Sequence, residues 1–181
     1  PKSEELAERV LGELWIAAMA RDVVPLWRML ETTAKQIRAR FKVGSPAYGE
    51  ATFMLGMARM RLGQSNFLGD VDQTGHVRFP GEAELTEFIG LEPNSDRGNA
   101  AIAFGRMAVA RQLGVKGQEQ QEIRNLEMAQ ASYDQAMKAN PEGPATLLAV
   151  IRHLFIHELM SELRSTGGTN ELEIKLSELN T

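Results

Sequence analysis

The sequence predicts an all-α fold, an antiparallel bundle of helices carrying a small β-hairpin at about 67–79. Three observations predict it. Apolar residues recur at three- and four-residue spacing along most of the chain. Helix punctuation is frequent, with Ser45-Pro46 as a start and Gly63, Gly114, Asn140-Pro141 and Gly167-Gly168 as stops. One stretch breaks the pattern, with Gly69, Gly75, Gly81 and Pro80 close together. The expected organisation is a single helical domain over 1–166, a loop or hairpin insertion at 63–81 and a C-terminal tail at 167–181.

Ser3 is placed to cap a first helix whose stripe reads Leu6, Val10, Leu14, Ala17 and Ala18. A second helix starts near Asp22, tolerates Pro25 in its first turn, and carries Leu26, Leu30, Ile37 and Phe41 with Trp27 alongside. The third runs from Pro46 to about Leu62, with Gly63 as its C′ residue. In the insertion, extended pieces around Phe67-Leu68 and from His76 to Phe79 are expected to pair across Asp72-Gln73-Thr74-Gly75, a type I turn with a glycine bulge. A short helix spans Glu82 to Ile89. The next, near Arg97 to Leu113, is rich in small residues that let helix axes approach closely, and Gly114 closes it. Gln118 to Ala139 reads as a polar-faced helix burying Ile123, Leu126, Tyr133 and Met137. The last long helix, about Ala145 to Ser165, is apolar nearly all round in its first half, the pattern of a central helix. The tail from Glu171 to Leu176 alternates like a strand, yet Leu172, Leu176 and Leu179 fit a helix face equally well.

Composition narrows the function classes. The 181 residues are 43 % hydrophobic and 24 % charged, as in ordinary globular chains, which excludes extensive disorder. Aromatics are only 6 %, so the core must come from Leu, Ala, Ile, Val and the 9 Met residues. Cysteine is absent, which removes disulfides, thiol nucleophiles and thiolate metal sites. A net charge of −4 argues against non-specific phosphate-backbone binding. No apolar run approaches the roughly 20 residues that span a bilayer, and Pro1 to Glu5 shows no signal-peptide pattern, so a cytoplasmic location is expected.

Several segments resemble tetratricopeptide repeats, a family of stacked helical hairpins. Ala51 to Gly56 with Gly63 is similar to a first repeat helix with its Leu-Gly pair, and Ala103-Phe104-Gly105 to another. Ala129, Tyr133, Ala136 and Pro141 reproduce the small–aromatic–small–Pro spacing of a second helix, and Leu91 to Asp96 resembles the connector between repeats. The segments do not keep the family's phase of about 34 residues. The resemblance covers about 47–160 and implies a short repeat array with a concave surface for a peptide or protein partner. No particular binding residue carries over.

A second resemblance, to an EF-hand calcium loop, lies at 70–82. Asp70, Asp72, Thr74, Gly75 and the His76 carbonyl match the first five requirements, but position 12 is Gly81 and Glu82 comes one residue late. A solvated hairpin turn uses Asp72 and Gly75 for backbone reasons alone. His153 and His157 lie one helical turn apart, a spacing that suits a transition metal, though the order with Glu158 is not that of a zinc protease. Glu158 and Glu162 share a face with Ile151 and Leu154, as a buried carboxylate pair or as partners of Arg152, Arg106 or Arg111. Lys35, Arg38, Arg40 and Lys42, with Arg59 and Arg61, form a basic cluster that reads as a solvated face or a phosphate contact. No nucleophile elbow, phosphate loop or dinucleotide fingerprint is present.

These readings favour a non-enzymatic helical interaction or scaffold module that holds a peptide or protein partner, or its own copies, without catalytic residues or a cofactor. The Met-rich face of the third helix, Met54, Met57 and Met60, suits an adaptable surface. The alternatives are a structural subunit of a viral or phage assembly, and a metal-binding enzyme or calcium sensor using His153 and His157, or Asp70, Asp72, Thr74 and Glu82.

Overall fold

A computed structural model describes the backbone of residues 2–63, 70–71 and 77–179, and side-chain surroundings for 2–63 and 77–165. Seven helices lie among the described residues: α1 Lys2–Arg21, α2 Val24–Arg40, α3 Pro46–Leu62, α4 Glu82–Leu91, α5 Asp96–Val115, α6 Glu119–Ala139 and α7 Pro144–Leu179. Short linkers join the successive helices except α3 and α4, which are separated by the 63–81 insertion, and each helix packs on the next. In addition α1 touches α3, α5 touches α7, and α3 touches α5 lightly. The odd-numbered helices therefore form one layer and α2, α4 and α6 the other. The all-α fold is as expected.

Local chemistry sets the helix starts. Ser45 accepts a hydrogen bond from the Tyr48 N–H at 3.3 Å, and Pro46 follows it at the first helical position. The start of α7 is capped from another helix. Asp96, the first residue of α5, accepts from the N–H groups of Ala145 and Thr146 at 2.8 and 3.0 Å. That carboxylate is buried, so the bonds tie the ends of α5 and α7 together.

Two apolar clusters hold the layers together. The larger joins α1 to α5 through Leu11, Trp27, Leu30, Phe53, Leu55, Phe88 and Val109. The smaller joins α5, α6 and α7 through Ala103, Ala110, Leu126, Tyr133, Ile156 and Met160. α5 contributes to both, which explains its small residues: it is covered on two sides.

The insertion forms an antiparallel pair, β1 Asp70–Val71 and β2 Val77–Arg78, with Asp70 opposite Arg78 and Val71 opposite Val77. The antiparallel pair falls within the expected 67–79; Phe67-Leu68, expected as the first leg, and the turn expected at Asp72 to Gly75 lie outside the described residues. The returning leg is anchored. Phe79 packs on Gly105, Pro80 on Gly63 and Gly81 on Gly56. Arg106, buried, donates to the Val77 carbonyl at 2.7 Å and pairs with Glu82.

Several expectations about the helices need correcting. The buried stripe of α1 is Ala7, Leu11 and Ala18, while Leu6 and Val10 are exposed; both stripes have helical spacing, and the position of α3 selects between them. Gly63 ends α3 in a right-handed conformation, so it serves close packing against Pro80 rather than a left-handed cap. Gly114 lies within α5, and the left-handed residue after that helix is Gly117, φ +71°. Gly167-Gly168 does not stop α7, and the tail continues it as helix to Leu179. α7 is not central. Its first half carries Leu147, Ile151, Leu154 and Phe155 on an exposed side.

Candidate functional site

An apolar groove of about 480 Å³ runs across the odd-numbered helices. Trp15 and Met19 come from α1, Met57 and Arg61 from α3, Arg97, Ala101 and Phe104 from α5, and Leu148 from α7. Small residues at Ala100 and Ala101 leave the space, and the larger side chains on either side form its walls. Phe104, Met19 and Leu148 are exposed there.

The floor is fixed by packing. Trp15 stands edge-on to Trp27 at 5.8 Å between ring centroids, and Phe53 lies 5.0 Å from Phe88. The Arg97 guanidinium sits over the Phe53 ring at 4.4 Å and bonds Glu50 at 2.6 Å. At the rim, Arg61 pairs with Asp22, which also accepts from the Trp27 indole N–H at 2.9 Å. These hydrogen bonds, that of Arg61 first, hold the Asp22 carboxyl below its ordinary range and push the Arg61 guanidinium up. Asp22 adopts a left-handed backbone, φ 48°, unusual outside glycine and more tolerated by Asp than by most residues. Tyr133 lines the same space; burial pushes its phenol up to about 12, so it stays neutral.

A second cleft of about 500 Å³ lies beside the Leu91 to Arg97 connector, with Asn140 and Pro144. Its buried carboxylate, Asp96, is occupied by the start of α7. The apolar groove is therefore the better candidate for a ligand surface.

The residues singled out from sequence are dispersed. His153 lies against Asp134, Nε2 to Oδ1 3.0 Å, and His157 is exposed on α7. Glu82 pairs with Arg106. Asp70 is in β1, and Asp72 and Thr74 lie outside the described residues. Among the described residues no three His, Cys, Asp or Glu side chains gather as a metal ion would need. Glu158 and Glu162 are exposed, not a buried pair. In the basic cluster, Lys35 pairs with Glu31 at 2.6 Å, Arg38 with Glu87 at 2.7 Å, Arg59 with Glu84 and Arg61 with Asp22. These pairings offset the charge a phosphate contact would use. Of the methionine face, Met54 and Met60 are buried in the core and Met57 is half-buried at the groove.

Nothing in the sequence pattern marks Trp15, Arg97 or Leu148 as lining a groove. The nearest signal is Ala103-Phe104-Gly105, where a large exposed residue stands between two buried small ones of α5. No helix among the described residues is long and apolar enough to cross a membrane. No family model matches the chain, nor does any curated protein or solved structure.

Proposed function

We propose that the protein is a non-enzymatic interaction module, a tetratricopeptide-like stack of helical hairpins whose groove holds an apolar segment of a protein partner. The observation that carries this reading is the groove across the odd-numbered helices, open to solvent and floored by locked aromatic rings. Its rim cations Arg61 and Arg97 are already paired with Asp22 and Glu50. What remains for recognition is apolar contact and shape, which suits an amphipathic peptide with two or three large apolar side chains. The hairpin order agrees with the resemblance read from Ala51 to Gly56 and Ala129 to Pro141.

Selection from a displayed random-peptide library tests the reading. Enriched peptides should be apolar at helical spacing, and Phe104→Glu should weaken their binding at least ~10-fold, because a carboxylate would be desolvated in the groove. Met29→Glu, at an exposed position on α2 outside the groove, should not. Failure to enrich any peptide, or binding indifferent to Phe104→Glu, would reject it.

A further inference from the structure

We propose that two copies of this chain pair antiparallel through the outward face of α7, about a two-fold axis at Ile151. α7 buries one side, with Ala149, Ile156 and Met160 against α5 and α6. On the opposite side Leu147 is 71 % exposed, Ile151 58 %, Leu154 66 % and Phe155 55 %. At about 100° per residue these four fall in one band roughly 100° wide, the width of a face that packs on another element. A contiguous apolar band of this kind on a surface marks a place where another element packs. Among the described residues no other element covers it, and α7 itself runs on as helix to Leu179.

Three features select a second copy as the cover. The first is symmetry. Leu147 and Phe155 each lie four residues from Ile151. An antiparallel pair centred on Ile151 sets Leu147 of one copy against Phe155 of the second and Ile151 against itself, an isologous contact. The second is charge. Glu158 and Glu162 continue the same face and are exposed. In a parallel pair each would meet its own duplicate, a like-charge clash. Antiparallel pairing instead carries Glu158 to the level of Pro144, away from its duplicate. The third is area. The exposed parts of the four side chains amount to roughly 500 Å² per copy, so covering them fully buries about 1,000 Å² for the pair, the lower bound for a biological interface and the range of a weak, concentration-dependent dimer. The pairing uses α7 alone and does not depend on the groove reading.

The absence of cysteine makes the test direct. The full chain should sediment as a concentration-dependent dimer, and Ile151→Lys, placing two ammonium groups at the axis, should weaken association ~100-fold with unchanged circular dichroism. Under mild oxidation Ile151→Cys should cross-link to itself. Leu147→Cys should cross-link to Phe155→Cys when the two are mixed, and not to itself. A chain that stays monomeric at several hundred micromolar, a dimer indifferent to Ile151→Lys, or self-linking of Leu147→Cys that outruns the mixed pair would overturn the proposal. Phe104→Glu should leave the dimer intact, so failure here is distinct from failure of the groove reading.

Discussion

Gly105 has no room for a methyl group. A Cβ there would lie 2.5–2.8 Å from the Phe79 ring, while a Cβ on Gly12 in α1 would meet nothing within 4 Å. Both glycines sit within helices, where replacement by Ala gains helix propensity. The outcomes should therefore have opposite signs: Gly12→Ala should stabilise by ~0.5–1 kcal/mol, and Gly105→Ala should destabilise by about 1–3 kcal/mol through overpacking. Chemical denaturation of the two variants checks this. The sequence marked Gly105 as a small residue at a helix crossing, but which neighbour takes up the space, the insertion rather than another helix, depends on a contact distant along the chain. Gly81 is more constrained still, with φ +91° and the Gly56 carbonyl lying where its Cβ would be.

Glu122 shows the same distance between residue type and environment. Burial, with the neighbouring Glu119 adding to it, pushes its carboxyl above the usual range. The folded state thus favours the protonated form. Relative to the fully protonated chain, stability is unimpaired below the unfolded-state value near 4.5 and falls as pH rises through the raised folded value. Glu122→Gln should be more stable than the parent at neutral pH, and the difference should vanish as pH falls below that of a free glutamate. Melting temperatures measured across this range decide it. Asp22 runs the other way. Its lowered pKa supports the fold above the ordinary value near 3.8 and loses that support as pH falls through the depressed one, so Asp22→Asn should flatten the acid limb of the curve.

At the scale of elements, the sequence was most informative where local chemistry decides. Ser45-Pro46 starts α3 because a hydroxyl and a ring pre-set to helical φ act within one turn. Asn140-Pro141 follows the end of α6 for an equally local reason. It was less informative where two faces compete: α1 offers both Leu6-Val10 and Ala7-Leu11, and only contact with the rest of the bundle buries the second. The insertion combines both cases. Its turn signals are plain in the sequence, but its attachment through buried Arg106 is not, since the sequence offers Arg106 equally as a partner for Glu158 or Glu162. The guanidinium is 2 % exposed and Glu82 16 %. Arg106→Ala leaves the Glu82 carboxylate without this cation in a poorly hydrated place, and should cost about 3–5 kcal/mol. Arg106→Met with Glu82→Leu, which removes both charges, should recover much of that loss. A double-mutant cycle by urea unfolding separates the ion pair from the packing of Arg106 over Phe79, whose ring centroid is 5.5 Å from it.

The whole molecule is two cores sharing one helix, and they are not equally strong. The cluster from α1 to α5 buries Trp27, Phe53, Phe79 and Phe88, each a large apolar surface. The cluster of α5, α6 and α7 rests largely on Ala103, Ala110, Ala129, Ala136 and Ala149, with Leu126, Tyr133, Ile156 and Met160 as its larger members. At roughly 25 cal/mol per Å² of buried apolar surface, alanines stabilise far less than aromatic rings. In a linear stack where helices touch mainly near neighbours, a weaker end opens without the rest. Native-state hydrogen exchange should show α6 and α7 exchanging together, at lower free energy than α2 and α3. Tyr133→Ala, which removes the largest side chain of the smaller cluster, should lower protection in α6 and α7 and leave α2 and α3 unchanged. Equal loss in all four helices would mean that α5 couples the two cores into one cooperative unit, and the division into a strong and a weak half would then fail.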